Sequence, residues 1–135
     1  MGQFKIKRNK YDITFSEFIK LRDRVCQKCG KSTGQLECSH IFSRRHIGIR
    51  WDADNAKLLC GVCHRDYHSN PVESAEWLKG IIGENKYNRL RIKANTVAKL
   101  KSWDKDEIRK IHLENIEKIK SGIIFKCFNR LYQVG

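Results

Sequence analysis

Apolar residues set the first reading of the chain. Between residues 14 and 25, Phe15, Phe18, Ile19 and Val25 recur near helical spacing. Thr14, with Glu17 three residues on, has the form of a capping box and marks the expected start of that helix. The basic residues 1–12 ahead of it carry little pattern and read as an arm or a lone strand. Two short β-prone stretches, 36–41 and 46–51, with Gly34 and Gly48 as breaks, predict a twisted hairpin with a long loop. Asp52-Ala53-Asp54-Asn55 reads as a turn, and a short helix carrying His64 and His68 follows it. Asn70 as cap, Pro71 at the first helical position and Glu73 begin a helix that Gly83 stops, with Val72, Ala75, Leu78 and Ile82 on one face.

Beyond it, Tyr87, Leu90, Ala94 and Val97 mark another helix. Asp104, with Glu107 closing a second capping box, starts a last one through Ile108, Ile111, Ile116 and Ile119 to Ser121-Gly122. That isoleucine face is suited to packing on the domain or to pairing with a second copy. Trp77 and Trp103 are expected in the core, and His112 is expected to be structural. Residues 123–134 are apolar with scattered basic groups and suit either strand or helix. With no internal repeat or linker, the 135 residues predict one α+β domain. Its segments are a basic arm and first helix (1–25), a central unit (26–69), a basic helical region (70–122) and a tail (123–135).

Charge narrows the partners. Lys and Arg total 28 against 15 Asp and Glu, a net charge of +13. That excess disfavours a compact state unless a polyanion binds, which points first to nucleic acid and second to an acidic membrane surface. No apolar run approaches the ~20 residues that cross a bilayer, and the first residues have no signal-peptide pattern. Gly2 follows Met1, but Ile6 argues against myristoylation, so an intracellular, cytoplasmic protein is expected. Lys86, Arg89, Arg91 and Lys93 flank an apolar helix face and are candidates for following phosphates without reading sequence; a solvated helix is the plain alternative.

In a reducing compartment, cysteines more often bind metal or sit in the core than form disulfides. Cys26, Cys29, Cys60 and Cys63 form two CxxC pairs, leaving Cys38 and Cys127 over. Two such knuckles supply the four thiolates that Zn²⁺ prefers. The long interval between Cys29 and Cys60 must hold structure of its own, clamped at its ends by the ion. Cys60-Gly61-Val62-Cys63-His64 also matches the CxxCH pattern of covalent haem attachment. That alternative needs export to an oxidising compartment and leaves the first CxxC idle.

Inside or just after the interval stand Ser39-His40, Asn55, His64 and His68. His64 and His68 are four residues apart and share one helical face, where two imidazoles can grip one divalent ion. Imidazole titrates near neutrality, so His40 is suited to accept a proton. Arg44, Arg45 and Arg50 lie near enough in sequence to offset phosphate charge.

The ordered set from Cys26 to His68 resembles the HNH, or ββα-metal, nuclease motif in the subgroup braced by a four-cysteine zinc. The resemblance implies a zinc-braced ββα-metal core over residues 26–69 with a helical C-terminal half. It implies that His40 is the general base for water, that Asn55 fixes the loop and helps orient that base, and that His64 binds the catalytic ion. That ion would be Mg²⁺ or another divalent ion such as Mn²⁺, Ni²⁺ or Zn²⁺, stabilising the departing oxygen. In the related nuclease colicins the His68 position is also a ligand. The residue before the base is often Asp or His and binds the metal. Here it is Ser39, a poor ligand, so either water and DNA phosphate complete the site or Cys38 or His46 helps.

A second likeness extends further. Asp12-Ile13-Thr14-Phe15-Ser16, Ser39-His40 with Ser43-Arg44, Arg50-Trp51-Asp52-Ala53-Asp54-Asn55, the stretch from Leu78 to Leu90 and Trp103 resemble the phage recombination family NinG (Rap). That likeness implies a phage or prophage enzyme cutting branched intermediates such as D-loops and Holliday junctions, with His64 departing from the asparagine expected there. A homodimer would bring two active sites to one junction. The rivals are an HNH packaging or restriction nuclease on ordinary duplex, and a zinc-knuckle DNA-binding protein without catalysis.

Overall fold

The computed structural model describes residues 7–96 and 99–122. Expectations on residues 1–6, Val97, Cys127 and the stretch 123–134 lie outside the described residues. Within them, five α-helices and one two-stranded antiparallel sheet form an α+β fold.

Helix α1 spans Lys10–Asp23 and begins four residues before Thr14. Asn9 is the cap: its side chain accepts from the amides of Tyr11 and Asp12, and the Asp12 carboxylate accepts from the Asn9 amide. Thr14 is instead buried in the second turn, where its hydroxyl donates to the Lys10 carbonyl and accepts from Arg109. The last residues of the expected arm are therefore helical. Arg22, near the end of α1, donates to the Ala53 and Ala56 carbonyls at 2.6 and 2.7 Å, and Asp23 accepts from the Leu58 amide. The helix C-terminus thus clamps the start of the second strand.

Strands β1 (Leu36–His40) and β2 (Ala56–Cys60) pair with Leu36 opposite Cys60 and His40 opposite Ala56. The hairpin is wider than expected, because residues 46–51 are not its second strand. Local bonds from His46 to Ser43, Ile49 to His46 and Asp52 to Ile49 curl that segment around a 3-10 turn at Ile47–Ile49. Ile49 and Trp51 still bury their side chains, which is the apolar signal that mimics a strand.

Helix α2 (Gly61–Ser69) leaves directly from β2 and packs on both strands. Helix α3 (Pro71–Ile82) starts at Pro71 as its sequence predicts, and Gly83, at φ +89°, turns the chain into α4 (Glu84–Asn95). Helix α5 (Ser102–Lys120) starts two residues before Asp104, whose carboxylate accepts from the Lys101 amide. One core joins Phe15, Phe18 and Ile19 of α1 to Ala56, Leu58, Trp51 and Ile116 of α5. A second, smaller one joins Leu59 and the buried cysteines to Tyr67 and Trp77. The sheet is sandwiched between them.

His112 stacks against Phe15 and Phe18, as a structural residue should, and burial pushes its pKa down to about 4. Trp103 is 64 % exposed, not core, with the Lys101 ammonium over its ring. Nine residues before His112, it lies half a helical turn away, on the opposite face of α5. Ile108, Ile116 and Ile119 pack against the main core, while Ile111 stays exposed, so three of the four isoleucines pack on their own domain. No helix among the described residues is long and apolar enough to cross a membrane.

Asp12 holds the loop between the strands from below. Its carboxylate accepts two bonds from Arg50, at 2.6 and 2.9 Å, and one from the Trp51 indole at 2.9 Å. Arg50 is 8 % exposed and also donates to the Lys7 carbonyl. This corrects its expected place at DNA: its charge is spent inside the protein. Burial pushes the Asp12 pKa up, but the bonds from Arg50, Asn9 and Trp51 outweigh it and the net shift is down. Its contribution to stability is therefore present above the ordinary carboxylate range and is lost as pH falls below about 4. Asp12→Ala leaves a buried guanidinium unpaired and should lower unfolding stability by about 3–5 kcal/mol in urea titrations.

Candidate active site and zinc centre

The two CxxC knuckles meet. Cys26 and Cys29 flank a tight turn after α1, closed by the Gly30 amide on the Cys26 carbonyl, with Gly30 at φ +79°. Cys60 ends β2 and Cys63 lies in the first turn of α2. All four Sγ atoms lie within 4.8 Å of one another, and Cys29 and Cys60 are 3.8 Å apart. Tetrahedral zinc with bonds of ~2.3 Å requires sulfur–sulfur edges of about 3.8 Å, so the set suits a structural Zn²⁺. The electrostatics agree. Burial pushes the Cys26 thiol up, but the backbone amides of Cys29, Cys60 and Lys28 bring it down to about 6. The Cys63 amide lowers Cys60, while burial and the neighbouring sulfurs push Cys63 up to about 12. Four sulfurs this close share protons unless a cation replaces them. With the first CxxC engaged, the second is not available as an isolated haem-attachment motif.

Asn55 is fully buried at the foot of the loop between the strands. Its amide nitrogen donates to the Phe42 and Ile49 carbonyls, both at 3.0 Å, and its oxygen accepts from the Phe42 amide at 2.9 Å. Its own carbonyl accepts from the Ile41 amide. The loop is thereby held closed just past His40. The His40 Nε2 lies 2.9 Å from the Arg50 carbonyl. A carbonyl only accepts, so Nε2 carries the proton and Nδ1 keeps its lone pair. Burial is the main reason that the His40 pKa falls to about 4, with Arg44 adding to it against the pull of the Arg50 carbonyl. His40 is therefore a neutral imidazole at physiological pH.

On α2, His64 and His68 turn their Nε2 atoms to within 3.1 Å of each other. Two nitrogens bound to one divalent ion at ~2.1 Å lie about 3.0–3.4 Å apart, so the pair suits adjacent corners of one metal. Burial and the neighbouring His64 both lower the His68 pKa, which favours the neutral, ligating form. Ser39 is 3 % exposed and buried in the sheet. Cys38 packs against the main core, and burial pushes its thiol up to about 11, leaving it protonated. Its backbone-side neighbour Glu37 was not singled out by the sequence, yet its carboxylate lies 3.5 Å from His64 Nδ1. The available signal was strand alternation, which puts residues 37 and 39 on one face.

His40, His64, His68 and Glu37 open into one cleft of about 920 Å³. Arg44 lines it, as do Arg8 and Lys20, two cations that the sequence did not single out. Arg45 is exposed beside it but does not line it. Lys86 and Lys93 reach carboxylates of the turn, Asp54 at 3.5 Å and Asp52 at 3.6 Å, while Arg89 and Arg91 are exposed on α4. The predicted helical DNA face is thus partly turned onto the protein, and the cleft has its own basic wall.

A ββα unit braced by a four-cysteine cluster, with one histidine ending its first strand and two on its helix, is the class that fold and site define. Residues 26–70 match the family model for HNH endonuclease, which covers the zinc cysteines, both strands and α2. No curated protein and no solved structure matches the chain.

Two outcomes follow. Purified protein should carry one tightly held zinc per chain by elemental analysis. Stripping it with a chelator, or Cys60→Ser, should cause loss of most native circular dichroism at neutral pH, since such ions contribute roughly 10–16 kcal/mol in small modules. In a ¹⁵N imidazole titration, His40 should stay neutral with its proton on Nε2 at pH 6 and charge only near pH 4. Because its folded pKa is depressed, the stability linked to it is intact above the ordinary histidine value and falls as pH drops from there toward 4.

Proposed function

We propose that the chain is a metal-dependent DNA endonuclease that hydrolyses phosphodiester bonds. One observation carries this: His40, fixed through Nε2 with Nδ1 available, shares a basic cleft with the His64–His68 pair. In this reading His40 Nδ1 takes a proton from water as the water attacks phosphorus. The Arg50 carbonyl keeps the imidazole in the required tautomer throughout, and Asn55 keeps that carbonyl's loop in place. Arg44, Arg8 and Lys20 hold the phosphates and draw negative charge away from the scissile group. His64 and His68 would hold a divalent ion, which would supply the remaining charge neutralisation on the phosphate and the departing 3′ oxygen. Mg²⁺, Mn²⁺, Ni²⁺ and Zn²⁺ are all candidates.

We infer further that the substrate is branched recombination DNA within phage or prophage metabolism in the cytoplasm of a bacterial host. The likeness of the segments around Asp12, Ser39-His40 and Arg50–Asn55 to the NinG family supports this. A homodimer would bring two such sites to one junction, although Ile108, Ile116 and Ile119 of α5 are already packed on the core of their own domain.

With Mg²⁺, Mn²⁺ or Ni²⁺, the protein should nick supercoiled plasmid. His40→Ala should lower that rate by at least 100-fold while retention on DNA–cellulose persists. Binding without cutting by the wild type, under all three ions, would leave a zinc-knuckle DNA-binding protein instead. For the substrate, a four-way junction should be cut faster than its separate linear arms. Equal rates would favour a nuclease of ordinary duplex.

A further inference from the structure

Ser39 leaves the ion site with only two side-chain ligands from α2, and two imidazoles hold a metal well only if each ring is fixed. His68 is exposed and His64 only partly buried, so packing alone does not fix them. On β1, Glu37 and Ser39 lie on the same face of the strand, toward α2. Glu37 Oε1 stands 3.5 Å from His64 Nδ1, while His64 Nε2 faces His68 on the other side of the ring. The carboxylate and the metal-facing nitrogen are therefore on opposite edges of one imidazole.

A second observation fixes the carboxylate itself. Gly61 is the first residue of α2, and a Cβ built there would lie 3.5 Å from Glu37 Oε1. The carboxylate thus sits against the positive start of the helix that carries both histidines, an arrangement that favours a negative group. A cation of the same helix shares this corner: Arg65 Nη1 lies 3.3 Å from the same point.

From this geometry we propose that Glu37 is the positioning residue of the ion site: its carboxylate accepts the His64 Nδ1–H and so presents the Nε2 lone pair to the metal. This rests on the nuclease reading above and deepens it. Metal-bound histidines characteristically donate their second N–H to such a group, which sets the tautomer and raises the basicity of the ligating nitrogen. The cross-strand partner of Glu37 is the apolar Leu59, so the cation that shares this corner comes from α2 itself, Arg65. The carboxylate at residue 37 thus does for ring orientation what a third ligand at residue 39 would otherwise do, and leaves the remaining coordination positions to water and phosphate.

The test uses zinc-loaded full-length protein, titrated calorimetrically with Ni²⁺ in the absence of DNA. Wild type should bind one Ni²⁺. Glu37→Ala should weaken that binding by roughly 10- to 100-fold, and Glu37→Gln, which keeps an acceptor oxygen, should recover most of the loss. Zinc content and circular dichroism are read alongside, so that misfolding is not mistaken for lost affinity. In ¹⁵N imidazole spectra without Ni²⁺, His64 should carry its proton on Nδ1 in the wild type and lose that preference in Glu37→Ala. Unchanged affinity in Glu37→Ala, or a proton on His64 Nε2 in the wild type, overturns the proposal. Glu37→Gln as weak as Glu37→Ala overturns it too, in favour of direct ligation by the carboxylate. If the wild type cuts DNA but Glu37→Ala binds Ni²⁺ normally, only this inference falls. If the wild type takes up no second ion, the nuclease reading falls with it.

Discussion

The side-chain amide of Asn55 is the constraint on which the site depends. A fifteen-residue excursion, from Ile41 to Asn55, separates β1 from β2, and nothing in the strand ladder holds it. The amide replaces the missing ladder with three bonds to Phe42 and Ile49, in a position fully closed to water. Each of those backbone groups would otherwise be left buried without a partner, at roughly 1–3 kcal/mol apiece. With the loop closed, the Arg50 carbonyl reaches His40, and the Arg50 guanidinium reaches Asp12 on α1. One residue thus feels both ends: its carbonyl sets the imidazole while its side chain anchors the loop to the core. Orientation of the His40 ring is therefore tied to packing of the first helix, although α1 lies outside the ββα unit.

The four-cysteine cluster does the complementary task at the other end of the hairpin. It joins the knuckle after α1 to the junction of β2 and α2, so α2 leaves the strand with no linker. That fixes the rotation of α2 about its axis, and rotation decides whether His64 and His68 face the strand or the solvent. A nine-residue helix has little propensity to form alone. Its presentation of two imidazoles depends on this clamp and on Tyr67, whose hydroxyl donates to the Ile41 carbonyl.

What the sequence disclosed follows from how local each signal is. The paired CxxC motifs and the i, i+4 histidines are fixed spacings, and the structure brings each set together. Asn9-x-x-Asp12 and Thr14-x-x-Glu17 are both capping patterns, and only packing chooses between them: Thr14 is needed by Arg109, so the helix starts earlier. Ile47, Ile49 and Trp51 carry an apolar alternation that a strand and a curled loop share. Arg50 looked like its neighbours Arg44 and Arg45, since its partner Asp12 stands 38 residues away and no spacing rule links them. Trp103 looked like core because tryptophan usually is, yet the core face of α5 was already filled by His112 and Ile116.

Glu37 belongs to neither group. Strand alternation alone places it with Ser39, and helix periodicity alone places His64 with His68, but the relation between the two elements is set by the sulfur cluster. The gap at Ser39 looks like a defect when the metal site is read as a list of ligands. When the elements are joined, the carboxylate two residues earlier stands behind the His64 ring, against the first turn of the helix that carries it. A site can give up one direct ligand and keep its ring geometry if the ring that remains is held from behind. The cost falls on affinity rather than orientation, because fewer protein atoms reach the ion. An ion held by two imidazoles keeps more positions open for water and for phosphate oxygen, so substrate would tighten its retention by completing its coordination.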